Sequence, residues 1–155
     1  MDIEEHLKQA RDELKRADHL IYVSLKYTRT CDVFKNCIAR LIDAIDFSFT
    51  AILIQLEERG TITEIPQQAR MRADLAKQHV RDDRILKLIE FYLFLRQINR
   101  AEFRRAREYR RHVTMTCRVD DADVEITIDN ITQYYKEIRE DLTYIEKYVK
   151  GTLAQ

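Results

Sequence analysis

Apolar residues recur along most of this chain at helical spacing. Ile3, Leu7, Ala10, Leu14, Ala17 and Ile21 fall three or four positions apart, a narrow stripe suited to packing against another helix. Asp2 stands before them as an N-cap, with Glu5 as its capping-box partner. The pattern breaks near Lys26-Tyr27-Thr28-Arg29-Thr30, where Thr30 is placed to cap a second helix. Phe34, Ile38, Leu41, Ile45, Phe49, Ile52 and Leu56 line one side of that helix as far as Arg59, and Gly60 supplies its stop. At 1.5 Å per residue it is roughly 43 Å long and forms the spine of the domain.

Pro66 is expected to open a third, shorter helix with a small-residue stripe at Ala69, Ala73, Ala76 and Val80. Asp82 or Asp83 caps a fourth, whose buried side is Ile85, Leu88, Ile89, Tyr92 and Leu95. This helix either continues to about Arg111 or bends near Ile98-Asn99-Arg100. After His112 the period changes to that of a strand. Val113, Met115, Cys117 and Val119 alternate with polar residues, as do Val124, Ile126 and Ile128, with Asp120-Asp121-Ala122-Asp123 between the runs. Asp129 is expected to cap a last helix with a stripe at Ile131, Tyr135, Ile138, Leu142, Ile145 and Val149. The expected fold is mainly α. It is an up-and-down bundle of four to five helices with a β-hairpin at about 113–128 before the last helix, all in one domain over 1–155.

Composition sharpens this picture. Two glycines and one proline are too few for a turn-rich β fold. The net charge is zero, so no global field steers the chain to nucleic acid or membrane. Three cysteines, at 31, 37 and 117, make no disulfide framework and read as reduced core residues of a cytoplasmic protein. The N-terminus is charged throughout and does not read as a signal peptide. No run approaches the ~20 apolar residues that span a bilayer. The glycines stand alone at 60 and 151, which excludes a phosphate-cradling loop. The histidines at 6, 19, 79 and 112 lack the spacing of a metal-binding helical face. No metal and no cofactor are expected.

Zero net charge conceals an asymmetry. Residues 96–111 carry seven arginines against two glutamates, whereas 118–150 carry nine acids against five bases. The simplest reading is that the two segments pair. The densest part is Arg104 to Arg111, five arginines in eight residues, followed at once by His112. Read as helix, Phe103, Ala106, Tyr109 and Val113 form an apolar stripe, with Arg104, Arg107 and Arg111 opposite. Arg105, Glu108 and His112 form a second group, in which Glu108 is one turn from His112 and positioned to orient it. Guanidinium groups beside an imidazole suit phosphodiester cleavage, which needs no metal when the 2′-hydroxyl of RNA is the nucleophile. The candidate catalytic residues are therefore Arg107, His112, Arg105 and Glu108. Arg104, Arg110, Arg111 and Arg100 are the candidate RNA-binding residues. The competing reading is a solvated arginine-rich helix paired with Glu102, Glu108 and the acidic last helix.

A helical bundle of this size, with arginine, four to six residues and then histidine shortly before its last long helix, resembles the HEPN family of higher eukaryote and prokaryote nucleotide-binding domains. Arg107-Glu-Tyr-Arg-Arg-His112 fits the four-residue spacing, and Arg105 to His112 fits the six-residue spacing. The resemblance implies a homodimer in which the motifs of two protomers meet and cleave RNA without metal. Other members are inactive partners or binding modules, so it also implies a non-catalytic interaction module, or one subunit of a toxin-antitoxin or nucleotidyltransferase pair. Tyr22, Leu25, Tyr144 and Tyr148, set to the side of the stripes, are expected in the dimer interface.

Overall fold

The computed structural model describes residues 1–153. The first helix, α1 (Ile3–His19), starts where the carboxylate of Asp2 accepts the Glu5 N–H at 2.8 Å. It passes through a π-helical turn (Leu20–Ser24) into α2 (Leu25–Tyr27). The wider turn keeps Ile21 and Leu25 in the core and leaves Tyr22, Val23 and Tyr27 outside. Leu25 is only 2% exposed, so it is core and not the interface residue expected of it. Thr30 then caps α3 (Cys31–Glu58) by accepting the Val33 N–H.

The middle of α3 is buried on more than one side, through Leu41, Ile42, Ala44, Ile45, Phe49, Ile52 and Leu53. It is covered by α1, by α4 (Ala69–His79), by α5 (Asp83–Arg100) and by α6 (Ile128–Lys150). Their buried faces join α3 in one contiguous core. Phe49 meets the ring of Tyr92 on α5 edge-on, with centroids 5.4 Å apart. Asp46 of α3 takes a two-pronged hydrogen bond from Arg72 of α4, at 2.7 and 3.1 Å. No helix among the described residues is long and apolar enough to cross a membrane.

Of the next three boundaries, the first and the last differ from those the sequence predicts. Pro66 does not open α4, which begins at Ala69. The Arg72 guanidinium takes the carbonyls of Pro66 and Gln67, so they are not left to the helix. Asp82 caps α5, and its carboxylate also accepts the hydroxyl of Tyr144, which ties that tyrosine to α5 within the chain. Thr127, not Asp129, caps α6, in a reciprocal capping box with Asn130 at 2.7 and 3.3 Å.

The largest difference follows α5. The helix does not continue to Arg111 but ends at Arg100, and Phe103–Ala106 form a strand, β1. This strand pairs with β2 (Thr114–Val119), which pairs with β3 (Ala122–Ile126), so the hairpin becomes a three-stranded antiparallel sheet. Met115 stands opposite Ile126, and Cys117 lies between Phe103 and Val124, giving one apolar face on the helices. Ile128 has left that face and begins α6. The turn from β2 to β3 is Asp120-Asp121, with φ of 50° and 62°, the mirror-image turn that matches strand twist.

Two outcomes check this packing. Replacing Ile126 with Asp sets an unpaired charge in the core and is expected to cost about 3–5 kcal/mol in urea unfolding. A change below 1 kcal/mol would mean that the sheet is a loose flap. All three thiols are buried, and desolvation raises their pKa values, that of Cys37 to about 12. Iodoacetamide at neutral pH is therefore expected to label none of them until urea is added, whereas rapid labelling of Cys31 in the native protein would show an open start to α3.

Candidate functional site

The arginine-rich run is a strand followed by a loop, 107–113, and the geometry of that loop decides what each side chain does. Arg107 and Tyr109 adopt the left-handed conformation, with φ of 56° and 66°. Two turns shape the loop. The Arg110 N–H donates to the Arg107 carbonyl at 3.2 Å, and the Val113 N–H to the Arg110 carbonyl at 3.1 Å.

The loop is docked on the start of α3. The Tyr109 N–H donates to the Arg29 carbonyl at 2.7 Å. The Glu108 carboxylate accepts the Cys31 N–H at 3.0 Å, one of the amides that a helix start leaves without an internal partner. Its negative charge also opposes the positive end of the α3 dipole. Arg105 completes the joint, donating to Asp32 at 3.0 Å and to Glu108 at 3.4 Å, with its guanidinium 5.0 Å from the centre of the Phe103 ring. Those two carboxylates, Asp32 foremost, raise the pKa of Arg105 above its ordinary value. Burial, and after it the charge of Glu108, raises that of the Cys31 thiol.

Glu108 therefore does not orient His112, as a helix would have had it do. The strand and loop turn it towards α3, and Arg105 goes with it. Both act as anchors of the loop. Among the described residues the His112 ring has no hydrogen-bond partner, while its carbonyl accepts the Thr114 hydroxyl at 2.9 Å.

Three of the predicted residues do come together. Arg107, Arg111 and His112 line a cavity of about 430 Å³, and Arg29 joins them from the turn before α3. The opposite wall is Glu125 of β3 with Thr127, Ile128 and Asp129 at the start of α6. Arg107 and Arg111 make no ion pair among the described residues, and Arg29 uses its Nε on the Leu25 carbonyl at 3.1 Å. Three guanidinium groups and an imidazole thus face two carboxylates across a polar cleft. Planar forked donors of this kind match an anion with several oxygen acceptors. Arg29 carried no motif. Its only signal was its place in the break between two helices.

The other predicted residues lie elsewhere. Arg104 is on the outer face of the sheet, 3.2 Å from Asp123, which Arg118 also reaches at 3.2 Å. These two hydrogen bonds, that of Arg118 first, hold the Asp123 carboxyl below its ordinary pKa. Arg100 lines a separate cavity of about 220 Å³ with Arg96, Asn99 and Asp43. Arg110 is exposed on the loop and unpaired among the described residues. Asp141 of the acidic last helix pairs with Arg84 of α5 at 2.8 Å, and Arg104–Asp123 is the one ion pair found between the two charged segments among the described residues. A larger groove between α1 and α6, about 520 Å³, holds the Arg11–Glu146 ion pair and the hydrogen bond that the Tyr135 hydroxyl donates to Asp18. No group of three or more His, Cys, Asp or Glu side chains is placed to hold a metal among the described residues. The chain matches no known protein family, no curated protein and no solved structure.

Replacing Glu108 with Ala removes the acceptor at the start of α3 and is expected to cost about 1–2 kcal/mol, the range for losing a helix cap. Glu108→Gln keeps an oxygen there and is expected to cost less than half as much. Thermal unfolding of the alanine variant at the wild-type temperature would contradict the anchoring role.

Proposed function

We propose that this protein is a HEPN-like, cytoplasmic, dimeric RNA-binding protein whose RNA phosphates lie on Arg29, Arg107 and Arg111, and that it cleaves RNA there without a metal. One observation carries the reading: the Arg107-x4-His112 motif falls on a polar cleft where three guanidinium groups converge beside an imidazole. In the proposed reaction His112 takes the proton of a 2′-hydroxyl, whose oxygen attacks the adjacent phosphorus. Arg107 stabilises the charge that builds on the phosphoryl oxygens. The bond to the 5′-oxygen breaks, that oxygen takes a proton from solvent, and a 2′,3′-cyclic phosphate remains.

A second reading has its own support. Glu108 is engaged by the start of α3, so His112 lacks the carboxylate that commonly orients a catalytic imidazole. This favours a non-catalytic binding module, including a partner subunit of a toxin-antitoxin or nucleotidyltransferase pair.

Incubation with a mixed RNA pool in EDTA separates the two. On the first reading the wild type leaves cyclic-phosphate ends, and His112→Ala binds nearly as well but cleaves about 10²- to 10⁴-fold more slowly. Arg107→Ala weakens both steps, by about 1.5–3 kcal/mol in binding, and binding falls steeply with salt through counterion release. Salt-dependent binding without cleavage would select the binding module. No binding at low salt would refute the RNA site and leave only a module that binds another protein.

A further inference from the structure

Two exposed tyrosines stand outside the lining of the arginine cleft and take no part in the core. Tyr27 is 83% exposed and Tyr109 is 75% exposed. Neither ring joins the core or an aromatic pair, and neither hydroxyl makes a hydrogen bond, among the described residues. They lie on the two segments that meet at the cleft. Tyr27 ends α2 just before Arg29, and Tyr109 is tied to the Arg29 carbonyl by its N–H at 2.7 Å. Tyr109 also sits at φ 66°, a conformation that suits glycine or asparagine and not a bulky ring. What the fold takes from Tyr109 is its N–H, which any residue but proline supplies. The ring, held in water on an unfavourable backbone, points to a ligand.

We propose that Tyr27 and Tyr109 are stacking platforms for unpaired bases, so that the nucleic acid taken by this site is single-stranded. The proposal rests on the reading of the cleft as a phosphodiester site and names the class of strand that enters it. Arginines on phosphates with aromatic rings alongside are the combination that holds single strands, because every base presents a π-face when it is not already stacked in a duplex. A protein partner fits less well. Two rings on segments that also carry Lys26, Arg107, Arg110 and Arg111 offer little apolar area, and these cations make no ion pair among the described residues.

The test uses the full chain and three probes: a short 2′-O-methyl single strand, a base-free sugar–phosphate strand of the same length, and a duplex of the same sequence. The wild type is expected to prefer the single strand over both others. Tyr27→Ala and Tyr109→Ala should each weaken single-strand binding by about 5- to 100-fold and leave base-free binding unchanged. Tyr109→Phe should keep the affinity. Tyr109→Asn suits the left-handed backbone, so it should melt no lower than the wild type and still lose the affinity. The chain has no tryptophan and eight tyrosines, so the single strand alone should quench part of the tyrosine fluorescence, and a smaller part in Tyr27→Ala and Tyr109→Ala. Equal affinity for base-bearing and base-free strands would overturn stacking, and if Arg107→Ala still weakened both, the cleft reading would stand. Loss of single-strand binding in Tyr109→Ala with no effect of Arg107→Ala would keep stacking and refute the cleft. A wild type that binds none of the probes overturns both. An altered oligomeric state in the tyrosine variants with unchanged affinity overturns stacking in favour of a protein interface.

Discussion

A helix that is apolar around most of its girth has to be covered on every side, and that requirement on α3 organises the whole chain. Each large side chain it buries contributes about 1.5–3 kcal/mol relative to exposure, against a substantial loss of conformational entropy. One partner helix would leave much of this surface wet. Instead α1, α4, α5 and α6 surround it, and the sheet closes over its first turns through β2. The N-terminus of α3 adds a second demand, because its first amides need acceptors from outside the helix. Thr30 supplies one locally, and Glu108 supplies another from the far side of the sequence. This long-range acceptor fixes the 107–113 loop, and with it the cleft. The position of Arg107 and His112 is thus a consequence of how α3 is started.

The arginines divide by what they meet. Arg105 and Arg104 find carboxylates within the fold and are spent on structure. Arg107 and Arg111 do not, and they share a cavity with Arg29 and His112. Exposed ion pairs contribute little to stability, commonly less than about 1 kcal/mol. Their effect here is on availability: pairing removes some guanidinium groups from the site and leaves others free to meet an anion.

Much of the helical layout was legible in the sequence, since long stripes such as Phe34 to Leu56 have one reading. Caps with a local acceptor were legible too, as Asp2 and Thr30 show. Boundaries set by distant partners were not. Nothing near Pro66 reveals that Arg72 will take its carbonyl, and Thr127 competes with Asp129 on near-equal terms until Asn130 closes the capping box. The change from helix to strand at Phe103 was the hardest to see. Phe103, Ala106, Tyr109 and Val113 fit a helical stripe as well as they fit anything, and only pairing with β2 decides against it. The same limit applies to the site. Arg107, Arg111 and His112 were legible as neighbours because they are close in sequence. Arg29 comes from another segment, and the engagement of Glu108 with Cys31 joins residues far apart in the chain.

The docking of the 107–113 loop on the start of α3 is the joint on which the cleft depends, and amide hydrogen exchange reads it most directly. The Tyr109 N–H, bonded to Arg29, and the Cys31 N–H, bonded to Glu108, are expected to exchange slowly, with protection approaching that of the amides inside α3. Exchange of the Tyr109 amide at the rate of an open, solvated loop would contradict the docking and leave the cleft without a fixed shape.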